Sequence, residues 1–216
     1  MKKDVIQSIL VNKLIVIIRG IDEKKLCPLV QAMYDGGVRI VELTYDSSGK
    51  TEDSRTAENI AMLKERFGDI MHIGAGTVTN TDQVELTYGV GGDFIISPNV
   101  KEDVIKATVK RNMVSIPGAL TPTEIQTAHD YGADFVKLFP VTSMGPHYVK
   151  AIRAPLSNIN MLAVGGIDLD NIRGYLDCGI CGFGIGSNII DKNLIAACDY
   201  GAITALTEQY VNMVRR

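Results

Sequence analysis

Phe135-Val136-Lys137-Leu138-Phe139-Pro140 sets a lysine in the middle of an apolar, strand-like run that stops at a proline. Side chains alternate faces along a strand, so Lys137 points away from the face that Val136 and Leu138 share. If those two pack outward against helices, Lys137 projects into whatever the sheet encloses. A buried ammonium is costly, and desolvation favours the neutral amine, which is a nucleophile. The other reading is an ion-paired lysine, or one near enough to a strand end to reach water. The rest of the chain decides between them.

Outward from this run, short apolar stretches alternate with helical spacings. A leading helix is predicted over 2–11, then strand one over Leu14–Gly20. Asp22 caps a helix carrying Leu26, Leu29, Val30 and Met33, which stops at Gly36-Gly37. Strand two spans Val38–Thr44, a helix 54–67, strand three Ile70–Thr77, and a helix 81–88. Strand four covers Phe94–Asn99 with a helix to about Arg111, and strand five covers Met113–Gly118. Thr121-Pro122-Thr123-Glu124 has capping-box spacing with proline at the first helical position. Strand six carries Lys137, and a helix follows over 146–154. Strand seven is 160–164, ending in Gly165-Gly166, and Asp168 opens the next helix. Strand eight is 182–187, and a helix over 195–214 closes the chain.

Eight strand–helix units follow one another with no linker and no break in composition. Continuous apolar strands of this kind belong to a parallel sheet covered on its faces. The fold class read from them is α/β, a (β/α)8 TIM barrel with a short N-terminal helix, forming one domain over 1–216. A doubly wound open sheet is the rival, but no G-x-G-x-x-G follows the first strand.

A net charge of -3 excludes a broad basic surface for nucleic acid. No apolar run reaches membrane-spanning length, and the start reads as an amphipathic segment and not a signal peptide, so a cytoplasmic protein is expected. Cys27, Cys178, Cys181 and Cys198 include one Cys-x-x-Cys pair. Cys178-Gly179-Ile180-Cys181 closes a helix and opens a strand, the wrong end for a dipole to stabilise a thiolate, so the thiols read as structural.

Active sites of such barrels lie at the C-terminal ends of the strands. Arg19, Glu42, Thr44, Thr77, Ser97 and Asn99 fall at those ends, and Lys137 lies within strand six. Ile40, Glu42 and Thr44 share one face, so Glu42 and Lys137 are candidates for one interior. Taken alone, Glu42 reads equally as an ion-pair partner or as a catalytic group. Strands seven and eight end in Gly165-Gly166 and Gly184-x-Gly186-Ser187-Asn188. Glycines there let backbone N–H groups approach an anion, in the two loops where these barrels commonly bind phosphate.

Glu42-x-Thr44, Gly74-Ala75-Gly76-Thr77, Ser97-Pro98-Asn99, Ile116-Pro117-Gly118, Lys137-Leu138-Phe139-Pro140, Gly165-Gly166-Ile167 and Gly184-Ile185-Gly186-Ser187 occur in order over nearly the whole chain. Together they resemble the bacterial KDPG/KHG aldolase family, class I aldolases of 2-keto-3-deoxy-6-phospho-sugar acids or 4-hydroxy-2-oxoglutarate. The resemblance implies that Lys137 forms the Schiff base and that Glu42 is the general acid/base. It implies that Thr77, with the backbone of Gly76, binds the substrate carboxylate, and that Phe139 and Pro140 form an apolar wall near the imine. Gly165, Gly166, Gly186 and Ser187 match its phosphate-binding turns. It implies a small-molecule substrate, an Entner-Doudoroff type of sugar-acid breakdown, no cofactor, no metal, no nucleic-acid or membrane partner, and a homotrimer. None of the histidines matches a site: His72 reads as core, His129 and His147 as surface.

Two positions depart from the family pattern. Many members carry an arginine four residues after the glutamate, where this chain has Asp46; Arg19 is the cation that can replace it. Ala163-Val164 stands where gluconate-type members often have Pro-Thr, and with Gly145-Pro146-x-Tyr148 it resembles the phosphogalactonate branch. The expected reaction is cleavage of a 2-keto-3-deoxy-6-phospho-aldonate to pyruvate and glyceraldehyde 3-phosphate. Cleavage of 4-hydroxy-2-oxoglutarate to pyruvate and glyoxylate is the near alternative. A phosphate-binding barrel isomerase or epimerase, or a non-catalytic sugar-phosphate binder, is the more distant one.

Overall fold

A computed structural model describes residues 2–215. Helix α1 (Lys2–Asn12) leads into β1 (Leu14–Ile18), α2 (Glu23–Asp35), β2 (Ile40–Thr44), α3 (Asp53–Phe67) and β3 (His72–Gly76). Then come α4 (Thr81–Gly89), β4 (Phe94–Ile96), α5 (Glu102–Lys110), β5 (Val114–Ile116) and β6 (Gly118–Ala119). The remainder is α6 (Pro122–Asp130), β7 (Val136–Leu138), α7 (Gly145–Arg153), β8 (Met161–Val164), α8 (Ile172–Leu176), β9 (Gly182–Ile185), α9 (Lys192–Ala196) and α10 (Tyr200–Arg215). The caps read from the sequence form: the Asp22 side chain accepts from Lys24 N, and Thr121 and Glu124 make a reciprocal capping box.

Every strand pair is parallel, in the order β5-β4-β3-β2-β1-β9-β8-β7-β6. The strands expected as one fifth strand are two, because Pro117 has no N–H and interrupts the ladder between them. The first piece pairs with β4 and the second with β7, so the two ends of the strand order belong to one continuous stretch of chain. Lys137 N donates to Pro117 O at 2.9 Å and Ser97 N to Ile116 O at 3.2 Å across this join. The result is the expected (β/α)8 barrel with its fifth strand split.

Alternation along each strand divides the apolar residues into two zones. Val16, Val41, Ile73, Val136, Leu138 and Ala163 face the helices, in one buried cluster. Ile15, Ile40, Phe94, Val114, Phe135 and Leu162 face the axis, where Val5 and Ile9 of α1 join them and close the N-terminal end. Gly74 supplies the room for this filling, since a Cβ on it would collide with the Phe94 ring.

Three further expectations are corrected. Asp168 does not open a helix; it accepts from Asp170 N and Asn171 N in a turn, and α8 begins at Ile172. The closing helix is two, α9 and α10, separated at Cys198, which adopts a left-handed φ of 56°. His72 is half-buried beside Asp93, at 3.9 Å, and is not a core residue; His129 and His147 are exposed as read.

Candidate active site

The strand alternation that directs Val136 and Leu138 outward brings Lys137 inward from the middle of β7, and Glu42 inward from β2. Lys137 is 8% exposed and Glu42 2%. Both line one cleft of about 510 Å³ at the C-terminal mouth of the barrel. Among the described residues no ion pair within 4.0 Å joins them, and Glu42 Oε2 is buried without a hydrogen-bond partner. Desolvation holds the Lys137 ammonium below its usual pKa, opposed by the Glu42 charge and assisted by Arg19. Desolvation likewise pushes the Glu42 carboxyl up, against the pull of Lys137 and then Arg19. The Lys137 Nζ lies 4.6 Å from the centroid of the Phe139 ring, which is 37% exposed and forms part of the cleft wall.

Glycine fixes where the carboxylate sits. Glu42 Oε1 occupies the space a Cβ of Gly76 would fill, so Gly76 lies against Glu42 and does not itself line the cleft. Pro140 also stays out of the lining, behind Gly165, following a cis peptide from Phe139. Arg19 stands one residue beyond β1, and its Nη2 donates to Thr77 Oγ1 at 3.0 Å. Thr77 has φ of 58°, a costly conformation for a β-branched residue, at the point where the chain leaves β3. Asp46 has its own task. It accepts from Ser48 N, Ser48 Oγ, Lys50 N and Thr51 N, which folds the loop after β2 and lowers its carboxyl to about 2.

Gly165, Gly166, Gly186 and Ser187 line the cleft after β8 and β9, with Val164 and Asn188 beside them. Gly165 and Gly166 have φ of 94° and 72°, which a side chain would oppose. The cleft thus has a buried amine and carboxyl, a guanidinium bonded to a hydroxyl after β1 and β3, and glycine turns after β8 and β9. Ser47 and Thr79 also line it and escaped the sequence reading; their signal is their place, three residues past the ends of β2 and β3. A second hollow of about 350 Å³ lies on the far side of Arg19, between the loops after β1 and β2, and contains neither Lys137 nor Glu42. Among the described residues, no group of three His, Cys, Asp or Glu is placed to hold a metal ion, and no helix is long and apolar enough to cross a membrane.

This chain is 36% identical over 177 residues to the 2-dehydro-3-deoxy-6-phosphogalactonate aldolase of Escherichia coli (strain K12), covering 82% of this chain and 83% of the relative. A solved structure designated native KDPGal superposes with a TM-score of 0.83 at 33% identity, covering 94% of this chain and 96% of the other. A KDPG aldolase from Legionella pneumophila, solved with pyruvate captured at low pH as a covalent carbinolamine intermediate, gives a TM-score of 0.84 at 26% identity, covering 94% and 96%. The model of the family described as KDPG and KHG aldolase matches residues 5–206, and with the site geometry just described it establishes that this chain belongs to that family.

Proposed function

We propose that the protein is a class I aldolase that splits a 2-keto-3-deoxy-6-phospho-aldonate into pyruvate and glyceraldehyde 3-phosphate. The observation that carries this reading is a buried lysine and a buried carboxyl in one open cleft, without an ion pair between them. A pair kept for stability would be joined; this one is held apart, with the amine shifted toward its neutral form.

The neutral Lys137 amine adds to the 2-keto carbon, and Glu42 in its protonated form gives the oxygen a proton, so the carbinolamine loses water to leave an iminium. The iminium draws the electrons of the C3–C4 bond as it breaks. The C4 hydroxyl proton passes to the Glu42 carboxylate, the aldehyde departs, and an enamine of pyruvate remains. Glu42 returns its proton to C3, and water releases pyruvate and the free lysine. Arg19 and Thr77 hold the substrate carboxylate in this scheme, with Arg19 serving in place of the cation that Asp46 is not. Phe139 keeps the imine side apolar, with Pro140 behind the cleft wall. The turns of Gly165, Gly166, Gly186 and Ser187 take the phosphate, which favours the phosphorylated substrates over 4-hydroxy-2-oxoglutarate.

Val164 lines the cleft and offers no hydroxyl to a substrate oxygen, which supports the galactonate epimer at C4, as in the relative named above. Pyruvate release from each of the two phosphorylated epimers tests both levels of the reading. Turnover of the galactonate form at the higher kcat/KM is expected; a clear preference for the gluconate form overturns the epimer assignment, and turnover of neither overturns the substrate class. The homotrimer is likewise proposed, and a solution mass of one or two chains would contradict it.

A further inference from the structure

The turn after β8 shows its carbonyls to three side chains from three different parts of the chain. Gly165 O accepts from Thr142 Oγ1, in the loop after β7. Gly166 O accepts from Asn171 Nδ2 at 2.8 Å, immediately before α8. Ile167 O accepts from Asn188 Nδ2 at 2.7 Å, in the loop after β9. Three consecutive carbonyls are therefore occupied, each by a side-chain donor. Among the described residues, the N–H groups of Gly166 and Ile167 meet no acceptor, and neither do those of Gly186, Ser187 and Asn188 in the neighbouring loop after β9. All five residues line the cleft.

A peptide plane carries its N–H and C=O on opposite sides, so a donor that fixes a carbonyl also fixes the N–H of the next residue. We infer that Thr142 and Asn171 are positioning residues that hold the carbonyls of Gly165 and Gly166 to the protein and so keep the N–H groups of Gly166 and Ile167 open to the phosphate of the substrate. Without them the turn is two glycines at positive φ, free to rotate a carbonyl toward the anion and repel it. The fit against Thr142 is close: a Cβ on Gly166 would collide with its Oγ1 and Cγ2. Asn171 is itself fixed, its Oδ1 accepting from Asp168 N at 3.1 Å, which gives a purpose to the Asp168 turn that stands where a helix was expected. Asn188 ties the two glycine turns to each other, so the anion site is one unit and not two independent loops.

This rests on the phosphate role proposed above, and the test separates the two. Titration calorimetry with glycerol 3-phosphate, an unreactive mimic of the phosphorylated half of the substrate, needs no turnover. Thr142→Val and Asn171→Ala are each expected to weaken that binding roughly fivefold to tenfold, the loss of one hydrogen bond that orients a charged contact. Thr142→Ser, which keeps the hydroxyl, is expected to restore it. In the same variants the rate of borohydride trapping with pyruvate, which carries no phosphate, stays within about twofold, whereas a merely structural role would lower both readouts together. Binding unchanged in the two variants, no binding in the natural protein, or equal losses in both readouts would each overturn the inference. Absence of a pyruvate adduct in the natural protein would instead overturn the aldolase reading.

Discussion

The two ends of the barrel treat buried charge in opposite ways. At the N-terminal end two half-buried carboxylates are each paired with a lysine. Lys64 meets Asp93 at 2.8 Å and Lys2 meets Asp134 at 2.9 Å, and both carboxylates also accept a strand N–H, from Ile73 and Ser115. At the C-terminal mouth Lys137 and Glu42 are more deeply buried and are left apart, one carboxyl oxygen with no partner. Below, charge ties strands together. Above, desolvation shifts an amine and a carboxyl toward their neutral forms, at the expense of stability.

The largest break in this comparison is Lys137→Met. Pyruvate release is expected to fall roughly 10⁴-fold or more, because among the described residues no other lysine lines the cleft, while circular dichroism shows the barrel intact. Glu42→Gln is expected to lower kcat by about 10²–10⁴-fold, the range for losing a positioned proton carrier. Combining Lys137→Met with Glu42→Gln removes both desolvated groups, and denaturant unfolding at neutral pH is expected to show a gain of about 1–4 kcal/mol. The linkage signs agree. The lowered pKa of Lys137 favours the folded state above pH 10.5 and that benefit is lost as pH falls; the raised pKa of Glu42 favours it below pH 4.5 and is lost as pH rises. Between those limits each carries a desolvation cost. A loss of stability in the double variant would mean that the mouth is built like the bottom.

Asp93→Ala is the converse change. Unfolding free energy is expected to drop by about 1–3 kcal/mol, with kcat unaltered, since among the described residues Asp93 meets Lys64, His72 and the Ile73 N–H and does not line the cleft. The smallest effect sharpens the contrast: the pyruvate-trapping rate is expected to rise with pH, with a midpoint below the ordinary lysine value of 10.5. A midpoint at or above 10.5 would place the amine in water.

What the sequence made legible was periodic. The parity of Val136-Lys137-Leu138 and of Ile40-x-Glu42 was enough to put both groups in one interior, because a strand has only two faces. The glycine turns were legible for the same reason, falling where two strands must end. The breaks were not. Pro117 reads as part of one strand over Met113–Gly118, and only the closed ladder reveals that the chain breaks there and resumes pairing on the other neighbour. Cys198 carries no signal for a left-handed turn, so α9 and α10 read as one helix. Side chains that act across loops were beyond reach too. Asp46 read as a missing cation, yet four local donors converge on it, and Thr142, Asn171 and Asn188 meet the turn at 165–167 from separate loops.

The measurement that bears most directly on the contrast between the two ends is borohydride reduction in the presence of pyruvate, followed by peptide mass mapping. A reduced pyruvyl adduct on Lys137 and on no other lysine is the predicted result, with Lys64 and Lys2 untouched. A folded protein that gains no adduct, or gains it elsewhere, would contradict the Schiff-base account.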